Sequence, residues 1–183
     1  DKAQGKWVLS LDADEALSPG LIEEIKQIIF SAAVSSEAYA IKRVSFFSGK
    51  KIRYGDWSAD KVVRLFRRLA TIRFTPSMVH EHLIGYQRLA TLKQVIFHNT
   101  MKDMSQVLMK LESYSSYGAQ LAYQQHKKSS LLKAIGHSFW CFIRGYLLRL
   151  GFLDGREGFI LAISNALGVF YRYVKLIYLY ELG

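Results

Sequence analysis

Three acidic residues follow a short apolar run near the start of the chain, and they constrain its fold more than any other feature. The run Trp7-Val-Leu-Ser-Leu has the length and composition of a buried strand. Asp12, Asp14 and Glu15 come at its carboxyl end, which is where α/β sheets bind ligands. Asp12 and Asp14 can turn toward one point, where their charges repel unless a cation neutralises them. This pattern predicts an α/β fold with a hard divalent cation at the strand end or, more simply, an acidic strand end that caps the next helix.

The charge and composition of the chain narrow the class of partner. The formal net charge of +10 favours a polyanionic partner such as a nucleic acid, an anionic membrane or a phosphorylated ligand. Half of the residues are hydrophobic, which excludes a disordered basic tail. The single cysteine, Cys141, excludes an intrachain disulfide and a cysteine-based zinc site. No nucleic-acid recognition motif is present, and the basic residues are mixed with long apolar segments, which favours a membrane.

The segment from Trp7 to Glu15 resembles the Asp-x-Asp segment of family 2 glycosyltransferases with the Rossmann-like GT-A fold. In that family the motif holds a divalent metal against the diphosphate of a nucleotide-sugar donor. The resemblance implies that Asp12 and Asp14 bind Mg²⁺ or Mn²⁺ and that Glu15 contacts substrate. Only six residues precede Trp7, and these leave no room for the first strands of such a fold. We therefore expect the carboxyl-terminal part of a longer protein, inactive on its own and without the half-domain that binds the nucleotide base.

Gly55-Asp56-Trp57 and the basic segment that begins at Arg64 follow in the order that GT-A enzymes use. They resemble the glycine-containing loop and the next strand, which border the donor sugar and the acceptor in that family. A glycine lets the backbone approach a ligand closely, and an indole suits the apolar face of a sugar ring. The resemblance implies that all four of these residues bind substrate. An ordinary turn followed by a basic edge strand would give the same pattern.

The segment Val79-His80-Glu81 matches the region where the family carries its general base. Sugar transfer with inversion needs a carboxylate to take the acceptor proton as the bond to the anomeric carbon forms. Glu81 is the only acid between Asp60 and Asp103, so it is the predicted catalytic residue. The family usually has two acids here, and His80 is predicted only to contact substrate. The histidines on either side of Glu81 do not have the spacing of a zinc-binding helix.

His98 ends an apolar strand predicted over 94–98. GT-A enzymes often place a late histidine on the metal or on the donor diphosphate, which implies that His98 is a further metal ligand. Taken alone, the residue would more simply be a half-buried structural histidine, and it is its place in this ordered series that favours the metal.

The periodicity changes near residue 103 and predicts two domains. Before this point, strand signals at 38–47, 62–68 and 94–98 accompany a helix that Ser18 would cap, and these predict a partial GT-A catalytic domain over 1–102. After it, apolar residues at helical spacing predict a helical carboxyl-terminal region over 103–183. The resemblance extends into this region, because its glycine- and arginine-containing segments are similar to the tail of bacterial enzymes near the lipopolysaccharide core β-1,4-glucosyltransferases. Those segments are Phe142-Ile-Arg-Gly-Tyr, Arg149-Leu-Gly-Phe-Leu-Asp-Gly and Gly158-Phe.

Two apolar segments, at about 131–152 and 157–181, predict helices that lie on a membrane rather than cross it. A spanning helix needs about twenty consecutive apolar residues, and basic residues interrupt both segments. Basic side chains among aromatic ones suit the interface of an anionic membrane. The cations predicted to meet lipid phosphates are Arg144, Arg149, Arg156, Arg172 and Lys175. A helical pair packed on the catalytic domain would show the same pattern.

Together these features predict an inverting glycosyltransferase that works peripherally on the cytoplasmic face of the bacterial inner membrane. It would move a sugar from a nucleotide-sugar donor to a saccharide or lipid-linked saccharide of the cell envelope, such as lipopolysaccharide core. One alternative is a Mg²⁺-dependent phosphotransferase with an aspartyl nucleophile, which would leave Glu81 and His98 without a role. The other is a non-catalytic, membrane-bound module.

Overall fold

The computed structural model describes residues 3–31, 35–58, 60–75, 82–101 and 103–182, and it shows a mixed α/β fold. The chain divides into two compact units, one within 1–45 and 59–99 and the other within 46–58 and 100–183. The domain boundary predicted after residue 102 stays a prediction. The elements in the described residues are β1 (Trp7–Leu9), β2 (Glu15–Leu17), α1 (Pro19–Phe30), β3 (Ala38–Phe47), β4 (Lys50–Lys51), β5 (Asp60–Arg67), β6 (Arg73–Phe74), β7 (Leu83–Ile84), β8 (Leu89–Met101), α2 (Met104–Gln124), α3 (Leu131–Ile143) and α4 (Arg156–Leu182).

The first unit is built on a sheet with the strand order β1-β5-β3-β8-β2. In a flat sheet its two edge strands would lie about 19 Å apart. The link from Leu9 to Glu15 could reach about 20 Å only if fully extended. That link instead contains a turn, in which the Glu15 N–H donates to the Asp12 carbonyl oxygen over 3.0 Å. The sheet must therefore curl, so that β1 and β2 approach each other.

The strand β1 differs from the buried strand of a parallel sheet that its sequence predicts. Trp7, Val8 and Leu9 are only half-buried, because β1 is an edge strand that pairs with β5 alone. The pairs β1–β5, β3–β5 and β2–β8 are antiparallel. The rule that parallel sheets bind ligands at their carboxyl ends therefore does not place a site here. The acidic residues lie instead in the turn between the two edge strands.

Helix α1 forms where the sequence predicts it and covers one face of the sheet. Ser18 accepts a hydrogen bond from the Leu21 N–H (3.3 Å), and Pro19 occupies the first helical position. Leu21 and Ile25 face the sheet, and burying a side chain of this size stabilises a fold by about 1.5–3 kcal/mol. The sheet residues of this core are Tyr39, Ile41, Leu65, Leu92 and Ile96.

The second unit combines a β-hairpin with three helices. The end of β3 pairs with β4 through a tight turn at Ser48 and Gly49, both with positive φ. Asp103 caps α2, and Ser130 caps α3. A π-helical turn at Arg144–Leu148 and a 3₁₀ turn at Gly151–Asp154 then lead into α4. The core residues of this unit are Phe47, Ile52, Met101, Val107 and Leu161.

Several cations that were predicted to meet lipid phosphates are engaged within the second unit instead. Arg144 and Arg149 both form ion pairs with Asp56. Lys175 Nζ donates to Ser115 Oγ (2.8 Å) and Ser116 Oγ (2.6 Å) of α2. These contacts explain why basic residues interrupt the apolar segments. Lys175 joins α4 to α2, and the two arginines join the turns between α3 and α4 to Asp56, which follows the hairpin.

Helix α4 spans Arg156–Leu182, close to the apolar segment 157–181 that the sequence predicts as helical. By length and composition, its 27 residues suffice to cross a membrane, although a core helix of a soluble protein meets the same criterion. In this structure α4 packs against both α2 and α3.

Candidate functional site

The acidic turn between β1 and β2 is held by backbone hydrogen bonds at both ends. The Ser10 N–H donates to the Arg64 carbonyl oxygen (2.8 Å), and the Asn99 N–H donates to that of Asp14 (2.9 Å). Within the turn, the Asp12 N–H donates to Glu15 Oε2 (3.1 Å), which complements the Glu15 bond to the Asp12 carbonyl. The short run of acids can therefore form a closed turn, because the Glu15 carboxylate satisfies a backbone donor within it.

Asp14 and His98, two of the three predicted metal ligands, lie together at this turn. Strand β2 pairs with β8 so that Glu15 is opposite His98, and this register places Asp14 beside the imidazole. His98 Nε2 is 3.2 Å from Asp14 Oδ2. The His98 side chain is only 12% exposed, whereas that of Asp14 is 38% exposed. The pair therefore presents an oxygen and a nitrogen donor at a position that solvent can reach.

Asp12 and Glu15 are joined by Arg64. One guanidinium nitrogen of Arg64 donates both to Asp12 Oδ2 and to Glu15 Oε1, the latter over 2.7 Å. The Glu15 side chain has no exposed surface. A buried carboxylate destabilises a fold unless cations and hydrogen-bond donors compensate it. Arg64 was predicted to bind substrate, and in this structure it holds the acidic turn.

Arg43 is a second cation at the buried glutamate, and its place there was not predicted from the sequence. Its guanidinium lies 3.3 Å from Glu15 Oε1 and donates two hydrogen bonds to Asp60. Burial lowers the pKa of Arg43, but Asp60 and Glu15 more than offset this, so that its pKa is raised. A charged residue inside the apolar run of β3 was the available signal. Its partner could not be read from the sequence, because the pairing depends on strand register.

The residues at the turn fit a divalent cation that shares its coordination with a substrate. Asp14 and His98 supply two donors, while Arg64 engages Asp12 and both arginines engage Glu15. Across the described part of the chain, no three His, Cys, Asp or Glu residues gather as a metal-binding group. Mg²⁺ is usually held by one or two carboxylates together with substrate phosphates and water, and not by an all-protein cage. A two-donor site suits that arrangement.

Gly55, Asp56 and Trp57 belong to the second unit, where each makes a packing or polar contact. The Gly55 N–H donates to the Arg149 carbonyl oxygen (2.9 Å), and the Trp57 indole N–H donates to Asn165 Oδ1 (3.0 Å). The cavity that these residues help to line measures about 10 Å³, which is room for one water molecule but not for a sugar. Their role in substrate binding stays a prediction.

Glu81 and His80, the predicted base and its neighbour, lie outside the described residues. The structure therefore places neither of them relative to Asp14.

The chain is similar to curated proteins along nearly its whole length. It is 29% identical to an uncharacterized glycosyltransferase of Rickettsia prowazekii over 179 residues, which cover 93% of this chain and 61% of that protein. Uncharacterized glycosyltransferases of Rickettsia typhi and Rickettsia conorii are each 28% identical over the same length, and the chain covers 61% and 64% of them. No family model and no solved structure matches the chain. The chain thus resembles proteins named glycosyltransferases, and it spans less than two thirds of their length.

Proposed function

We propose that the full-length protein is an inverting glycosyltransferase that uses a nucleotide-sugar donor and a saccharide acceptor of the cell envelope, such as lipopolysaccharide core. The observation that carries this proposal is the convergence of Asp14 and His98, 3.2 Å apart, on a turn closed by Glu15. The similarity to proteins named glycosyltransferases supports the same reaction.

Asp14 and His98 would hold Mg²⁺ or Mn²⁺ against the donor diphosphate. When bound, the cation offsets the negative charge that builds on the leaving diphosphate. Arg64 and Arg43 compensate the buried negative charge of Glu15, and the Glu15 carboxylate in turn accepts a hydrogen bond from the backbone N–H of Asp12. The two arginines thereby position the turn that carries Asp14. Arg64 engages one carboxylate oxygen of Asp12, and the role of Asp12 as a further metal ligand stays a prediction.

Glu81 would act as the general base that takes the proton from the acceptor hydroxyl. His80 would contact substrate, and the loop Gly55–Trp57 would border the donor sugar. These three roles rest on the resemblance to family 2 enzymes. The acceptor would be reached from the cytoplasmic face of the inner membrane, with which the protein would associate peripherally.

Titration of the full-length protein with nucleoside diphosphates tests the metal site. We expect UDP, ADP, GDP or CDP to bind more tightly with Mn²⁺ than with EDTA. Asp14→Ala should reduce the Mn²⁺-dependent affinity at least tenfold, because a carboxylate ligand is lost. His98→Ala should reduce it more in Mn²⁺ than in Mg²⁺, because imidazole favours the softer ion.

Glu23→Gln is the matched control for these variants. Its carboxylate also pairs with a cation of the first unit, Lys26, but the pair lies on the exposed surface of α1 and outside the acidic turn. It should bind nucleoside diphosphate like wild type. Equal affinity of the wild type for all four diphosphates with and without Mn²⁺ would contradict the metal-dependent site. Failure of the full-length protein to bind any of them would instead favour a non-catalytic module.

A further inference from the structure

Helix α3 is apolar on its outward side as well as on its buried side. Ala134 and Cys141 face the interior, whereas Leu132, Ile135 and Phe139 lie on the opposite side at helical spacing. These three side chains are 80%, 51% and 65% exposed. A surface helix normally turns charged or polar residues toward water. The outward side of α3 therefore has the composition of a surface that something covers.

The apolar surface continues from the end of α3 through a cluster of aromatic rings, of which Phe142 and Tyr146 are half-buried and Phe152 and Phe159 are exposed. Phe142 lies 5.2 Å from Tyr146 and 5.9 Å from Phe159, between ring centroids. Tyr146 also lies 6.2 Å from Phe152 of the 3₁₀ turn. We call Leu132, Ile135, Phe139, Phe142, Tyr146, Phe152 and Phe159 the apolar face. Contiguous exposed patches of this kind mark interaction sites, whereas scattered apolar residues do not.

The charged residues of α3 and of the sequence on either side of it have one sign. The segment 113–153 contains five Lys and Arg residues and no Asp or Glu. Arg144 and Arg149 are paired with Asp56. Lys127, Lys128 and Lys133 form no ion pair with any residue that the structure describes, and all three are exposed at or just before the start of α3. The apolar face is thus flanked by three cations that remain available to an external anion.

We propose that the apolar face docks on the surface of an anionic phospholipid bilayer, with Lys127, Lys128 and Lys133 on lipid phosphates. A second copy of the chain is less suited, because a symmetric contact would bring two acid-free, basic segments together. A bilayer fits both the apolar face and the flanking lysines, since its acyl boundary receives the aromatic and aliphatic side chains and its headgroups supply negative charge. The exposed indole of Trp140 suits the same headgroup level.

This docking rests on the proposed function only because that function places the acceptor at a membrane. It assigns the contacts with lipid phosphates to three lysines in place of the cations that were predicted from the sequence. It also differs from a crossing by α4. Lys175 lies in the carboxyl-terminal half of α4 and is bonded to Glu112, Ser115 and Ser116 of α2. Helix α4 therefore stays packed with α2 while the outward side of α3 meets lipid.

Flotation of the full-length protein with vesicles tests the docking. We expect the protein to float with vesicles that contain phosphatidylglycerol and to float weakly with pure phosphatidylcholine. Leu132→Glu combined with Phe139→Glu should reduce partitioning to anionic vesicles at least tenfold. Replacing Lys127, Lys128 and Lys133 together with Gln should reduce it by roughly 10²-fold, because each cation near an anionic surface contributes about fivefold. This triple variant should also be much less sensitive to salt.

Met109→Glu on α2 is the matched control, since Met109 is 71% exposed but lies outside the apolar face. It should float like wild type. Slow alkylation of Cys141 in every variant verifies that α3 remains packed, because burial raises the pKa of this buried thiol. Wild-type flotation of the Leu132/Phe139 variant, or no flotation of the wild type, overturns the proposal. Resistance of the bound protein to extraction by alkaline carbonate also overturns the proposal, because it would show that α4 crosses the bilayer.

A second copy as the occupant would appear as a dimer in solution that the Leu132/Phe139 variant abolishes, and this result also overturns the proposal. Nucleoside diphosphate titration separates the docking from the proposed function. Variants of the apolar face should bind diphosphate like wild type, and Asp14→Ala should float like wild type. Lost flotation with retained metal-dependent binding identifies the docking surface, whereas retained flotation without any diphosphate binding overturns only the proposed function.

Discussion

Glu15 is the residue on which the acidic turn depends, because its carboxylate is wholly buried and meets two guanidinium groups. Arg64 is the closer of the two, at 2.7 Å against 3.3 Å for Arg43. Removing one partner of a buried ion pair leaves a charge that neither water nor protein compensates. The side chain of Arg64 is itself largely covered, so solvent screening reduces this effect only slightly.

We therefore expect Arg64→Ala to lower the free energy of unfolding by about 2–4 kcal/mol, with Arg43 retaining part of the compensation. Arg88→Ala is the control, because Arg88 pairs with Glu37 over 3.6 Å at the surface and should cost within about 0.5 kcal/mol. Urea unfolding measures both. Equal losses for the two variants would show that Glu15 does not need Arg64.

Only part of this site could be predicted at the level of single residues. The Asp-x-Asp pattern and the resemblance pointed to Asp14 and His98, which the structure places in contact. They could not show that Asp12 is engaged by Arg64, or that Arg43 reaches Glu15, because both contacts depend on the register between distant strands. A single sequence also does not show which basic side chains will compete with a metal ion for a predicted carboxylate ligand.

At the scale of elements, predictions were confirmed where a capping residue and a clear periodicity coincided. Helices α1 and α2 begin after Ser18 and Asp103, whose side chains accept backbone hydrogen bonds. Strand β3 has the bounds that its apolar run predicts. Strand β2 was missed, because three residues that begin with an acid carry no strand signal of their own. It forms through pairing with β8.

The junction between the 3₁₀ turn and α4 depends on glycines at two facing positions. A Cβ added at Gly158 would lie 1.9 Å from the Gly151 carbonyl oxygen, so the helix and the turn can approach only without a side chain there. We expect Gly158→Ala to destabilise the protein by about 1–3 kcal/mol through overpacking. Thermal or urea unfolding measures the change.

Gly136→Ala on α3 is the matched control for this prediction. A Cβ at Gly136 meets no atom within 4 Å, and alanine favours a helix over glycine by up to about 1 kcal/mol. The same substitution should therefore have opposite signs at the two positions. A stabilising Gly158→Ala would show that the turn and α4 are not held in this close contact.

At the scale of the whole molecule, Lys50 and Glu157 join parts of the chain that are 107 positions apart. The hydrogen bond from Lys50 is the main cause that lowers the pKa of Glu157 to about 2, from an ordinary value of 4.5. A carboxyl with a depressed folded-state pKa stabilises the fold fully above its unfolded pKa and loses that contribution as pH falls through the folded value.

We therefore expect the stability of the protein to fall as pH decreases from about 4.5 to about 2, the window set by these two pKa values. Glu157→Gln should flatten this part of the pH dependence, because its side chain cannot titrate. Glu23→Gln, which removes an exposed carboxylate paired only with Lys26, should leave the slope unchanged. Unfolding in urea at several pH values measures the slopes, and parallel curves for wild type and Glu157→Gln would contradict the assignment.

The segment 46–58, which begins with the hairpin, belongs to the same unit as α4, although more than ninety residues separate the two along the chain. A ribosome adds about 5–20 residues per second, so the hairpin emerges roughly 5–20 s before Asp154 and Glu157 exist to bind it. Until then Phe47 and Ile52 lack part of the core that buries them in the finished protein. Synthesis of this chain therefore includes an interval in which Phe47 and Ile52 are incompletely buried, and such transiently exposed apolar surface favours aggregation until α4 has left the ribosome.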